Sequence, residues 1–233
     1  MSHEEMADLA GCKKRTIKKW CVEKHNLKTW DRAKLKTLSP LQHDLIVGSI
    51  LGDGHIDRRE KYPLFIVSHA ENQKDYLYYK YGILKDLCRM KPTMYKGLEH
   101  TVINGSSCKT QNTYRFNTGT YMCLNTYREM SITQIADELN EYSFSIWILD
   151  DGYRCDKGYW QLCVAAYTED EKNKLKEALQ QKFQIIAHSR KDIRYWNFWA
   201  EDSRKIDSMI LRNIPNNLDI IQYKILRHKK DVA

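Results

Sequence analysis

Two aspartates stand out by where they fall. Asp53 lies in Gly52-Asp53-Gly54 and Asp151 in Asp150-Asp151-Gly152, each closing an apolar run of helical character. A helix C-terminus carries partial negative charge, so a carboxylate there is unfavourable, and folding alone does not ask for it. A cation reverses the sign. Two such helices packed side by side about a pseudo-two-fold axis bring Asp53 and Asp151 together. With helix-terminal carbonyls they form a hard, oxygen-only site suited to Mg²⁺. Like charges this close are tolerable only when a metal neutralises them. Paired divalent ions that activate water and stabilise a leaving oxygen are a means of cutting a phosphodiester.

The elements that must hold these acids repeat. At an offset of 98 residues, without gaps, residues 50–77 match residues 148–175 at eight of 28 positions. Chance gives roughly one or two at average residue usage. The matches include Asp53/Asp151, Gly54/Gly152, Leu64/Leu162, Glu71/Glu169 and Lys74/Lys172. The chain therefore holds two copies of a helix–loop–strand–helix unit. Ser39-Pro40 announces the first helix, Ser as N-cap and Pro at the first position, and it runs Leu41 to Leu51. Gly48 and Gly52, four apart on one helical face, let a partner backbone approach. Ile146 and Asp150 hold the equivalent places in the second helix, with Ser145 beside them. Leu64–His69 reads as a strand and Gln73–Leu87 as a helix. A hairpin about Gly119 is expected from Tyr114–Asn117 and Tyr121–Leu124, and a further helix from Ile132 to Leu139.

The whole chain has 233 residues, with Lys+Arg exceeding Asp+Glu by 38 − 30 = 8. That excess favours a polyanionic partner. No apolar run reaches the ~18–20 residues of a membrane span, so no membrane partner is expected. Seven cysteines without a Cys-x-x-Cys pair argue against structural zinc and for a reducing compartment. With a polar, acidic start, the expected location is cytoplasmic or an organellar matrix, not secreted. Residues 1–36 hold ten Lys/Arg against five acids. Apolar Met6, Leu9 and Ala10, then Ile17, Trp20 and Cys21, flank Gly11, outlining two short helices about a glycine turn. This segment resembles the helix-turn-helix units of bacterial DNA-binding proteins. Arg15, Thr16, Lys18 and Lys19 would then face the major groove or the phosphates.

Ile46–Gly54 and Phe144–Gly152 resemble the two motifs of a single-chain LAGLIDADG homing endonuclease. The flanks Ser68–Gln73 with Tyr76-Leu77, and Pro215 through Tyr223-Lys224, are similar to the family as well, so that the resemblance spans about residues 39–230. It implies an α+β fold of two pseudo-symmetric αββαββα repeats, at 37–139 and 140–233 after the basic segment. Two antiparallel sheets would form a saddle over DNA. It also implies Mg²⁺- or Mn²⁺-dependent cleavage of both strands across the minor groove, leaving short 3′ overhangs. The metal ligands it implies are Asp53 and Asp151, with help from the carbonyls of Gly52 and Asp150. The Asp150 side chain is expected to cap or orient at the interface. The family places a basic residue near each metal centre, and these positions map to Arg128 and Arg212. Arginine stabilises phosphate charge but does not exchange protons near neutral pH.

Groove-facing sheet residues would read the DNA. They are Arg58, Arg59 and Lys61, then Tyr114, Arg115 and Asn117, then Arg154 and Lys157, and finally Arg190, Lys191, Arg194, Tyr195 and Asn197. Arg and Asn suit guanine and adenine edges, and Lys suits phosphates. His69 reads as structural and Tyr76 as packing. The expected partner is double-stranded DNA with a long asymmetric target, bound by a monomer. The competing readings are an intron RNA maturase, acting on its own intron RNA, and a family-derived DNA-binding regulator that does not cut. Regulators of that kind lose the metal acids, and both are present here.

Overall fold

The computed structural model describes residues 36–59, 62–98, 101–103, 106–108, 110–155, 157–189 and 194–226. The helix-turn-helix reading, with Arg15, Thr16, Lys18 and Lys19, lies outside the described residues, as do Lys61, Arg190 and Lys191.

Helix α1 spans Pro40–Leu51, and the expected start is found. Ser39 accepts from the Gln42 N–H, while the Gln42 side chain accepts from the Ser39 N–H. This reciprocal cap satisfies two donors that a helix start otherwise leaves orphaned. Strands β1 (Gly54–Asp57) and β2 (Leu64–Ala70) follow, then helix α2 (Lys74–Leu84) and strand β3 (Thr93–Tyr95). Strands β4 (Thr101–Ile103) and β5 (Ser106–Cys108) form a separate two-stranded ribbon, and β6 (Thr113–Asn117) returns to the main sheet. Helices α3 (Asn125–Glu129) and α4 (Ile132–Glu138) close the first half.

The second half repeats the plan. Helix α5 (Glu141–Asp151) carries an Asn140/Ser143 capping box. It leads to β7 (Gly152–Arg154), β8 (Trp160–Cys163), α6 (Glu169–Phe183), β9 (His188–Ser189), β10 (Tyr195–Asn197) and α7 (Ala200–Asn213). A short helix α8 (Asp219–Ile221) runs into a wide turn over Gln222–Leu226. The sheets are ordered β1-β2-β6-β3 and β7-β8-β10-β9, both antiparallel throughout. The same spatial order twice is the three-dimensional form of the 98-residue repeat. The chain is α+β, built of two pseudo-symmetric halves. One local expectation fails: Met122–Leu124 is a single 3-10 turn rather than a strand, and β6 pairs with β2 and β3.

Helices α1 and α5 lie against each other at the centre. Leu45, Ile46 and Val47 of α1 and Ile146, Trp147, Ile148 and Leu149 of α5 are all fully buried. A helix that is apolar on all sides must be covered on all sides. Glycine sets how near they come. A Cβ on Gly48 would sit 2.2 Å from the Ser143 carbonyl oxygen, and one on Gly52 would sit 2.4 Å from the Asp150 Cβ. Each sheet turns alternate residues to the helices. Phe65, Val67 and Phe116 do so in the first sheet, and Trp160, Leu162 and Trp196 in the second. Among the described residues no helix is long and apolar enough to cross a membrane.

Candidate metal centre and nucleic-acid interface

The two aspartates leave the paired helices at the same end. Asp53 follows α1 and its side chain is 37% exposed. Asp151 is the last residue of α5 and half-buried. Asp151 feels the charge of Asp53. Burial first, then the charges of Asp53 and Asp150, push the Asp151 carboxyl up to about 7, against the pull of Lys224 and Lys80. Burial also works against Asp53, but His69, Lys80 and Lys224 outweigh it and hold that carboxyl below the ordinary carboxylate range. So one acid is compensated and the other is not. The negative charge of Asp53 and Asp150 that keeps Asp151 protonated is what a divalent cation would offset, and the oxygen donors fit one.

Between the acids lies a buried polar network. The Asp150 side chain is fully buried and bound on several sides. Lys80 Nζ lies 2.6 and 2.8 Å from its two oxygens, Tyr76 donates its hydroxyl at 3.0 Å, and the Asp53 N–H donates at 3.2 Å. His69 sits beneath, its Nδ1 3.1 Å from Asp53 Oδ2. Asp53, His69 and Asp150 bring ligand atoms within 4.8 Å of one another. Asp150 is nonetheless committed to an ammonium, which opposes a second cation on the same carboxylate. The exposed edge of Asp53, which lines the groove, could hold a metal. Lys224 is buried at the end of α5, where its Nζ donates to the carbonyls of Leu149 and Gly152 at 2.6 and 2.7 Å. This cation answers the negative end of the helix dipole. Burial pulls its pKa down to about 8, against the raising effect of Asp150, Asp53 and Asp151.

Asp53 opens onto a groove of about 1090 Å³ over the first sheet, lined also by His55, Ser68, Arg115, Arg58, Arg59 and Arg128 among others. The model of the LAGLIDADG DNA endonuclease family matches residues 43–206.

The chain belongs to the LAGLIDADG DNA endonuclease family.

Relatives agree with this. Cytochrome b mRNA maturase bI2 of Saccharomyces cerevisiae is 26% identical over 197 residues, covering 77% of this chain and 40% of that protein. DNA endonuclease I-ChuI of Chlamydomonas applanata is 25% identical over 173 residues, covering 64% of this chain and 76% of its own length. The chain thus spans less than half of the first relative and about three quarters of the second. Homing endonuclease I-WcaI, solved bound to its DNA recognition sequence, superposes with a TM-score of 0.70 at 20% identity, over 86% of this chain and 93% of its own. That likeness is one of fold.

The two arginines expected near the metal centres are placed differently from each other. Arg128 lies on the groove and donates to the Arg58 carbonyl at 3.0 Å. Arg212 does not approach the acids: it pairs at 2.8 Å with Glu141, the first residue of α5, whereas Asp151 is the last. At 1.5 Å per residue those ends are about 15 Å apart. Lys224, rather than Arg212, stands near Asp151, donating to the carbonyls of Leu149 and Gly152 on either side of Asp150-Asp151. Its signal was Tyr223-Lys224, within a flank already similar to the family. Lys80 reads in the sequence as a helix-face residue with no role at the site. It shares the buried face of α2 with Tyr76, Leu77 and Leu84, and a lysine on a core face implies a buried anion.

The sheet residues divide by face. Arg115 and Asn117 share the open face of the first sheet with His55 and Ser68. Arg59 is bound to Asp57 through both carboxylate oxygens, which holds the Asp57 carboxyl down at about 2. Tyr114 alternates to the helix side, beneath Lys74. Arg154 is turned inward in an ion pair with Asp207, and Asn197 is buried against Gln161. Lys157 is exposed in a turn, Arg194 stands over the ring of Tyr195, and Tyr195 meets Tyr153 edge-on. Two-residue alternation removes Tyr114 from the DNA-facing set, and a buried acid removes Arg154.

Proposed function

We propose that the chain is a metal-dependent, site-specific double-strand DNA endonuclease. The observation that carries this reading is the charge-coupled pair Asp53 and Asp151, one from each half, at the ends of two helices packed through glycine. A divalent ion, Mg²⁺ or Mn²⁺, held there would activate water and stabilise the leaving oxygen. Asp53 and Asp151 would hold such ions, each from its own half, helped by the carbonyls of Gly52 and Asp150. Lys224 Nζ, at about 8, exchanges a proton near neutral pH and is suited to the departing oxygen. Arg128 supplies fixed positive charge towards a phosphate. Arg58, Arg59, Arg115 and Asn117 from the first sheet, and Tyr195, Lys157 and Arg194 from the second, would touch a long asymmetric duplex. A single chain supplies both halves, which suits a monomer. The test is to incubate the protein with Mg²⁺ and a library of candidate duplexes and sequence the ends. Paired breaks with short 3′ overhangs at one recurrent site support the reading, and no cleavage of any duplex opposes it.

The likeness to a cytochrome b mRNA maturase favours a second reading, in which the same surface binds the chain's own intron RNA. Splicing assistance that survives Asp53→Asn would establish it independently of cutting.

A further inference from the structure

We propose that His69 is a positioning residue for Asp53 and that it makes the two metal-binding halves unequal, an inference that rests on the nuclease reading above. The imidazole is wholly buried. Its Nδ1 faces Asp53 Oδ2 at 3.1 Å, and its Nε2 stops 3.9 Å from Asp150 Oδ1. Neither ring nitrogen has a hydrogen-bond partner of full geometry among the described residues. The Tyr76 ring, 5.1 Å away between centroids, fixes the plane of the imidazole. His69 can therefore serve one acceptor, Asp53 Oδ2, while the Asp53 side chain stays 37% exposed and lines the groove. The main chain of the same residue is gripped as well, because the Asp53 N–H donates to Asp150, which Lys80 holds in turn.

Among the described residues nothing equivalent surrounds Asp151. The residue 98 positions after His69 is Tyr167, and its hydroxyl donates to the Leu51 carbonyl rather than to Asp151. The residue 98 positions before Asp150 is Gly52, which has no side chain to offer. One acid thus arrives oriented and the other does not. Outer-shell partners that orient a carboxylate change metal affinity by roughly 10–100-fold when removed. The Asp53 half takes metal first, and the Asp151 half fills at higher concentration.

The experiment is an electron paramagnetic resonance titration of the full chain with Mn²⁺ alone, without DNA. The wild type is expected to show two classes of site, with the tighter class lost in Asp53→Asn. His69→Leu is expected to weaken the tighter class about tenfold or more, with the weaker class and the melting transition little changed. His69→Asn places an amide N–H where Nδ1 stood and is expected to restore most of the affinity. Tyr167→Phe is expected to leave the tighter class as it was. Unchanged Mn²⁺ affinity in His69→Leu, with normal uptake by the wild type, overturns this inference and leaves the nuclease reading standing. Nitrogen couplings from an imidazole in the spin-echo spectrum of bound Mn²⁺ would make His69 a ligand and overturn the positioning role. Wild-type protein that takes up no Mn²⁺ overturns both readings.

Discussion

The two halves share a plan and differ in chemistry. The open face of the first sheet is charged. Arg115 and the Asp57–Arg59 pair stand there, with Arg58 and Arg128 on the same groove. Among the described residues, the open face of the second sheet carries Tyr153, Gln161, Cys163, His188, Tyr195 and Asn197, and no Lys or Arg. Its one strand arginine, Arg154, is neutralised inside by Asp207. The acids differ in the same sense, Asp53 well compensated and Asp151 not. Duplication preserved the backbone and the position of the acids, while the surfaces diverged. An asymmetric pair of surfaces would suit an asymmetric duplex.

The comparison can be broken at several points. The largest effect is expected at the acids, where the halves should agree. Asp53→Asn or Asp151→Asn is expected to lower Mg²⁺-dependent cleavage at least about 10³-fold, with duplex binding retained in a gel-shift assay. The next tests the brace between the halves. Lys80→Met leaves Asp150 buried and unpaired, and is expected to destabilise the chain by about 3–5 kcal/mol in urea denaturation. The double variant Lys80→Met with Asp150→Leu is expected to recover much of that loss. Smaller effects should separate the sheets. Arg115→Ala is expected to weaken binding to a mixed-sequence duplex and to flatten its salt dependence by about one counterion. Tyr195→Ala is expected to weaken it with the salt slope unchanged. Equal slopes for both variants would erase the contrast. The smallest effect separates the acids by pH. Asp151 carries a proton in the folded chain up to about 7 but loses it near 4 when unfolded. Folding therefore loses stability as pH rises between those values and not above them. Asp151→Asn is expected to remove that slope and to raise the melting temperature by a few degrees at pH 8, with no gain at pH 4.

Much of this plan is legible in the residues. The 98-residue repeat carries the strand order, because a unit repeated in sequence repeats in space. The misplaced carboxylates carry the site, because an acid at a helix end needs a cation to explain it. Lys80 was harder to read, since its partner Asp150 lies 70 positions away and only the assembled interface joins them. His69 read as structural for a related reason. Nothing local separates a histidine that fills space from one that grips a neighbouring carboxylate. Arg154 and Asn197 read as DNA-facing and fail for different reasons: Arg154 alternates to the helix side opposite Trp160, and Asn197 faces the open side but is buried. Asp207 and Gln161, from elsewhere in the chain, draw them under.

The meeting of Gly52 with Asp150 bears on how such a molecule can be taken apart. Two copies of the first half, set about the same axis, would oppose glycine to glycine. An empty space would remain where the carboxylate now sits, and two lysines at position 80 would face each other without a counterion. Two copies of the second half would crowd like charges into that volume. Neither half is self-complementary, so a symmetric dimer cut from this chain would need compensating changes at positions 52, 80 and 150 before its helices could meet.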